Sequence, residues 1–295
     1  MKKSITIIGT IILILTFFYG DILFDSSKTA LITWFEKLVP SLFLPMICVK
    51  VLYKQHYFDN LPAFFFPSMF QIDKTAWNIV LCTIFLGFPN GSIFIDKAIQ
   101  QGILAAEDGK RLLYCCCFPT PGFVIITCGI VFYNSFQIGI LLFFIQIVSG
   151  LCLLLFTRHK RISCQTVPYS SSSFMKSLRS SIIETGISLY MIGGYLMLFS
   201  GITTLLLTLL PISSLYFQSL LEFSNGITVI HQAELSIEVK LIFSCFLLGF
   251  AGLCVHMQIM SMVEHVKLSY LKFLLYRIIQ GMLSAGFFYL CLYFF

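Results

Sequence analysis

Glu222, Asn90 and Asn225 are the residues whose types and placement point most directly to chemistry. Glu222 lies in an apolar stretch, three positions ahead of the pair Asn225-Gly226. A carboxyl group at membrane depth is expensive and marks an ion or substrate pathway by default. Protonation, an ion or a substrate cation would each neutralise it, so Glu222 is the leading candidate for ion coupling. Asn90-Gly91-Ser92 places the same Asn-Gly pair inside another apolar run, 76–95, where Gly87, Pro89 and Gly91 interrupt what should be regular helix. Amides at such a turn donate and accept, and the helix N-termini that open there favour anionic groups. A tight turn accounts for one Asn-Gly pair equally well. Two copies at corresponding places of two halves point instead to a transporter's binding site.

Two further interruptions accompany these. Phe118-Pro119-Thr120-Pro121-Gly122 breaks segment 112–133, and Gly249-Phe250-Ala251-Gly252 breaks 241–262. His256 shares a helix face with Gly249 and Gly252, small residues that admit close approach of another element. Gln258 points nearly the opposite way unless the helix unwinds at Ala251-Gly252. The four interruptions fall at one depth, so their unpaired backbone groups could converge on a polar cavity. The expected substrate site is therefore Asn90, Gly91, Ser92, Thr120, Glu222, Asn225, Gly226, His256 and Gln258. A protonated His256 would add positive charge for a small, flat organic anion. No catalytic or metal-binding residues are expected, since H-E-x-x-H, G-x-S-x-G and the Walker A loop are absent. No cofactor is expected beyond a coupling ion, H+ or Na+.

Positioning these groups requires helices that cross a bilayer. With 58% hydrophobic and 11% charged residues, the 295-residue chain reads as an all-α polytopic membrane protein. Its net charge of +6 sits in short loops, where it signals topology and not nucleic-acid binding. Most of the eleven cysteines lie in apolar segments without a C-x-x-C pair and read as small packing residues. Residues 4–24 read as an uncleaved first helix, and 30–53 as a span kinked by Pro40 and Pro45. The stretch 61–72 is too short to cross. Re-entrant hairpins at 76–102 and 213–231 leave all but Lys28, Lys37 and Lys240 of the 19 lysines and arginines on the cytoplasmic side. Were 76–95 to cross instead, the basic loop 157–180 would fall outside. The resulting architecture is an inverted repeat with about seven transmembrane helices and two re-entrant hairpins. It divides into an anchor (1–29), a first repeat (30–156), a basic cytoplasmic linker (157–180) and a second, inverted repeat (181–295). Glu184, near the cytoplasmic end of its helix, is expected to meet the basic loop.

Pro40-Ser41-Leu42-Phe43-Leu44-Pro45, Gly87-Phe88-Pro89-Asn90-Gly91 and Arg111-Leu112-Leu113 through Pro121-Gly122-Phe123 resemble the first half of the YlbJ-type sporulation integral membrane proteins. Leu221-Glu222 with Asn225-Gly226, and Gly252-Leu253-Cys254-Val255-His256-Met257-Gln258, resemble the second half. The likeness runs in order from about residue 31 to 280. It departs at Phe88 and Ser92, where the family pattern reads closer to Gly-Tyr-Pro-x-Gly-Ala, and at Cys254, where serine is more typical. The resemblance implies a nucleoside-recognition, or Gate, domain, whose repeats are similar to those of concentrative nucleoside transporters. It further implies movement of a small molecule across a bacterial cell membrane, with dipicolinate passing toward the forespore, at its outer membrane, in endospore formers. The expected partners are a small-molecule substrate and the lipid bilayer, with no nucleic acid and with room for a homo-oligomer. A nucleoside transporter of the same fold and a non-transporting sporulation assembly protein stay open.

Overall fold

The computed structural model describes residues 10, 13–60, 66–158, 161–165, 173–209 and 215–294. Most of the first apolar run before residue 13, much of the linker including Ser170–Ser172, and the approach to the second Asn-Gly turn lie outside the described residues. Among the described residues the regular secondary structure is helical, with one isolated bridge between Ile72 and Ile162. Four stretches of helix are long and apolar enough to cross a membrane: Phe136–Phe156, Phe174–Leu209, Ile237–Met262 and Tyr270–Tyr293. The protein is thus a helical membrane protein.

The chain runs without a break through α1 (Gly20–Thr33), a π-helical turn (Trp34–Leu38) and α2 (Val39–Lys54). Separating an anchor from a span near residue 30 implied a reversal of direction there, and the structure has none. The reason is local: no glycine or proline falls between Asp21 and Val39 to end the helix. The wider π turn lies just ahead of Pro40, whose missing N–H leaves the ladder short of a donor. The long helix α1–α2 lies antiparallel to a second long helix, Phe174–Leu209. Ser26 Oγ is 2.8 Å from Ser200 Oγ, Trp34 Nε1 donates to the Leu189 carbonyl at 2.8 Å, and Lys54 Nζ meets Glu184 at 2.7 Å.

In the chain there follows a helical hairpin, α3 (Lys74–Leu86) and α4 (Asn90–Gln100). Asp73 caps α3 by accepting from the Ala76 N–H at 2.7 Å. After α5 (Ala106–Cys115) residues 116–120 run without helix, and a π helix (Gly122–Phe132) follows. Next come α6 (Phe136–Phe156) and α7 (Phe174–Leu209). The order then recurs: a hairpin of α8 (Leu215–Leu221) and α9 (Phe223–Gln232), an interrupted helix of α10 (Ile237–Phe250) and α11 (Gly252–Met262), and a long α12 (Tyr270–Phe294).

Both ends of the first hairpin meet the linker. Ile162 N donates to the Gln71 carbonyl at 2.9 Å, and Gln165 N to the Ile103 carbonyl at 2.8 Å. Glu184 pairs with Lys54 at 2.7 Å and with Lys97 at 2.9 Å, and with no linker residue among those described. It thereby ties α2, the first hairpin and α7 together.

Charge placement differs from the sequence reading at Arg277. That residue counted as a cytoplasmic loop charge, yet it is fully buried on α12. Its Nη1 donates to the Cys117 carbonyl at 3.0 Å and its Nη2 to the Tyr114 carbonyl, and its guanidinium lies 5.3 Å from the Phe273 ring centroid. These carbonyls lose their helical donors where α5 ends, so the cation occupies a site of negative potential at a helix C-terminus. Gln280 and Ser284 continue the buried polar face of α12. Ser284 Oγ meets Gln146 Oε1 at 3.1 Å and Ser149 Oγ at 2.9 Å, and Gln146 donates to the Cys245 carbonyl at 3.1 Å. Polar groups in a membrane interior must find such partners within the protein.

Candidate functional site

The first tip is a turn that α3 cannot carry through. Gly87 has φ +62°, and a Cβ there would lie 2.6 Å from the Thr120 Cα, so glycine is required on both counts. Phe88 N donates to the Phe118 carbonyl at 2.6 Å, which seats the tip on the non-helical stretch 116–120. The second tip is built by different residues. Glu222 interrupts helix between α8 and α9, and its Oε1 accepts from the Ser224 N–H at 2.9 Å. The carboxylate thus caps α9 and faces the positive end of that helix dipole. This tip rests on the break between α10 and α11: a Cβ at Gly252 would lie 2.9 Å from Phe223 N. The break itself is a pair of left-handed residues, Ala251 at φ 72° and Gly252 at φ 68°.

The tips touch each other. The Phe88 and Phe223 rings meet edge-on with centroids 5.2 Å apart, and Phe123 meets Phe223 at 5.1 Å. Beside this aromatic contact lies a cavity of about 40 Å³. Pro89 and Thr120 line it from the first half, and Glu222, Ser224, Cys254 and Gln258 from the second. The volume suits one or two waters and is well below the few hundred Å³ of a site enclosing a small organic ligand. Its polar groups are a carboxyl, an amide, two hydroxyls and a thiol in otherwise apolar walls. Such a set can hold water, share a proton and hydrogen-bond a carboxylate or an amide.

The nine residues expected at the site separate into three groups. Thr120, Glu222 and Gln258 line the cavity. Asn90, Gly91 and Ser92 begin α4 behind the tip and are buried, but do not line it. Asn90 Nδ2 donates to Met46 Sδ at 3.5 Å, and its Oδ1 has no hydrogen-bond partner among the described residues. Gly91 and Gly226 serve hairpin packing: a Cβ at Gly91 would lie 3.1 Å from Thr83 Cβ, and one at Gly226 would lie 2.8 Å from Ser219 Cβ. Asn225 is in the first turn of α9, and its side chain lies outside the described residues.

His256 is not brought to the cavity. Its Nε2 lies 2.7 Å from the Phe250 carbonyl, and the Phe250, Tyr270 and Phe273 rings enclose it. The helix break explains this: with Ala251 and Gly252 left-handed, the Phe250 carbonyl loses its helical donor and His256 supplies one. Gln258 then takes the cavity side, which the sequence reading allowed only if the helix unwound there. Ser224 and Cys254 were not expected at the site. Their signal was proximity, since each stands next to or near a predicted tip or break.

The chain is 22% identical to the sporulation integral membrane protein YlbJ of Bacillus subtilis (strain 168), in an alignment covering 90% of this chain and 76% of YlbJ. The chain is thus similar to a YlbJ-type protein over most of its length. No family model matches it, and no solved structure does. The YlbJ match spans both hairpins and both interrupted helices, so the likeness extends to every element that lines the cavity.

Proposed function

We propose that the chain is a secondary-type transporter of a small organic anion, with substrate bound between the two hairpin tips. The observation that carries this reading is the meeting of two hairpin tips and two helix breaks around one cavity holding Glu222. Broken backbone in a membrane interior is tolerated where it is buried or lines a cavity, and transporters place substrate at such breaks. The recurring order of parts supports a repeat, inverted across the membrane. The contact of both ends of the first hairpin with residues 162–165 supports its being re-entrant from the cytoplasmic side. Dipicolinate, a flat dicarboxylate, is the first substrate class to test, given a relative named for sporulation. A nucleoside is the second, and the bacterial cell membrane or the outer forespore membrane is the setting.

Glu222 shapes the mechanism. An anion placed beside a carboxylate is repelled unless that group takes up a proton. Substrate and proton therefore bind together, and the proton is the coupling ion. The cavity, at about 40 Å³, must widen for the substrate, and the Phe88–Phe223 contact beside it is one place where the two halves would part.

Thermal-shift and uptake measurements on the purified protein against dipicolinate, nucleosides and related dicarboxylates test this. An anion is expected to bind more tightly as pH falls. Glu222→Gln mimics the protonated state, so its binding is expected to lose that pH dependence while proton-driven uptake is lost. Unaltered uptake by this variant across pH would remove Glu222 from the mechanism. Failure of every compound to bind wild type would leave a membrane assembly protein as the reading.

A further inference from the structure

A second and larger pocket lies apart from the tips, where three helix ends gather: the start of α5, the end of α6 and the start of α12. Its volume is about 540 Å³. Lys110, Arg111, Lys267 and Lys272 line it, against two carboxylates, Glu107 and Asp108. The charges are unevenly committed. Lys110 is paired with Glu107 at 2.6 Å, and Arg111 donates to the Phe70 and Leu154 carbonyls at 3.3 and 3.1 Å. Among the described residues, the ammonium groups of Lys267 and Lys272 have no hydrogen-bond or ion-pair partner. The floor is aromatic: Tyr114 and Tyr276 stack with centroids 5.2 Å apart, and the Tyr114 hydroxyl accepts from Ser269 N at 3.0 Å. That bond pins the segment carrying Lys267 to α5.

We propose that this pocket binds the phosphate of an anionic phospholipid headgroup. The chemistry required is a phosphate oxyanion, which two ammonium groups bind as point charges while nearby hydroxyls donate. The position selects a lipid as the bearer of that phosphate. Leu271, Leu275 and Met282 form an exposed apolar stripe along α12, at 76%, 54% and 63% exposure. At about 100° per residue, Lys272 and Tyr276 fall between this stripe and the buried face of Arg277 and Gln280. A headgroup in the pocket therefore has its acyl chains against the stripe without crossing polar surface. Exposed Phe156, next to the pocket's Thr157 at the end of α6, offers a second apolar wall. Basic pockets between transmembrane helices on the cytoplasmic side are where such headgroups bind, and interfacial tyrosines mark that depth. The site shares no lining residue with the central cavity and stands whether or not the protein transports.

Native mass spectrometry of the purified full chain, titrated with phosphatidylglycerol or phosphatidylcholine of equal chain length, tests the site. Phosphatidylglycerol is expected to be retained in preference. K267Q/K272Q is expected to weaken its retention about thirty-fold, from the loss of two charges, whereas K28Q/K37Q leaves it unchanged. The single variant K272E, on the first turn of α12, is expected to show the same direction, and an unchanged thermal unfolding profile establishes that each variant is folded. Equal retention of both lipids by the wild type, or equal losses in the two double variants, overturns the proposal. Binding of glycerol phosphate in phosphatidylcholine, with no preference for phosphatidylglycerol, would make a free phosphate the ligand and overturn the lipid assignment.

Discussion

At the scale of single residues, the tips show how one residue type can serve geometry at one position and chemistry at another. Gly87 is fixed by its positive φ and by the Thr120 backbone 2.6 Å from where a Cβ would stand. Neither demand can be relieved by a side-chain rotation alone, because the Thr120 N and Cα stand in the way besides its Cγ2. Gly87→Ala is therefore expected to destabilise the protein by about 2–4 kcal/mol, summing backbone strain and overpacking. Gly186 offers the contrast, since it lies in α7 with nothing within 4 Å of an added Cβ. Gly186→Ala should be neutral or stabilising by up to about 1 kcal/mol, as alanine is the better helix former. Thermal unfolding of the two variants in the same detergent checks the pair, and equal losses would show that the tip is not the constraint. Glu222 belongs to the other class, since a neutral residue could close the same turn and no packing demand requires a carboxyl there.

At the scale of elements, the interruptions are stabilised by side chains that meet the freed backbone groups, some near in sequence and some remote. The Phe250 carbonyl at the α10–α11 break is met by His256, and the Tyr114 and Cys117 carbonyls at the end of α5 are met by Arg277. Arg277 thus positions the stretch 116–120, on which the first tip sits. Replacing it with methionine keeps much of the length and leaves both carbonyls without that donor inside the protein. Arg277→Met is expected to cost about 1–3 kcal/mol, the penalty of one unsatisfied acceptor at Tyr114, since the Cys117 carbonyl keeps Gln280 Nε2 at 3.4 Å. Arg277→Lys should recover only part of this, because one ammonium cannot reproduce the guanidinium's fork. Denaturation midpoints of the three proteins give the ranking, and equal stability of wild type and Arg277→Met would show that the carbonyls find other donors.

At the scale of the whole molecule, the two halves meet through tips, breaks and long helices, and the sidedness of the first hairpin decides the architecture. Residues 162–165 bind both its ends, and Glu184 ties its second arm to α2 and α7. Cysteines introduced at Gln101 and Ser163, in a background lacking the native cysteines, should be inaccessible to an impermeant thiol reagent added outside. A cysteine at Glu234 should react. Outside labelling at 101 would mean that the hairpin crosses, and the inverted repeat would fall with it.

The sequence by itself determined the helical membrane class and the segments that are interrupted, though it set the tips at Asn90-Gly91 and Asn225-Gly226, and the turns lie about three residues earlier, at Gly87–Pro89 and Glu222. The interruptions were legible because glycine, proline and carboxylate are costly inside apolar helices, so each stands out without knowledge of its neighbours. Tertiary structure alone decided what those residues face. It turned His256 to the Phe250 carbonyl, sent Gln258 to the cavity, and moved Arg277 from a supposed loop into the interior. It also carried α1 into α2 without a reversal. The physical reason is that a broken helix releases carbonyls that a side chain nearby in sequence, as at Phe250, or a remote one, as at Tyr114 and Cys117, can satisfy. Which side chain answers depends on packing between elements, and no local spacing encodes that.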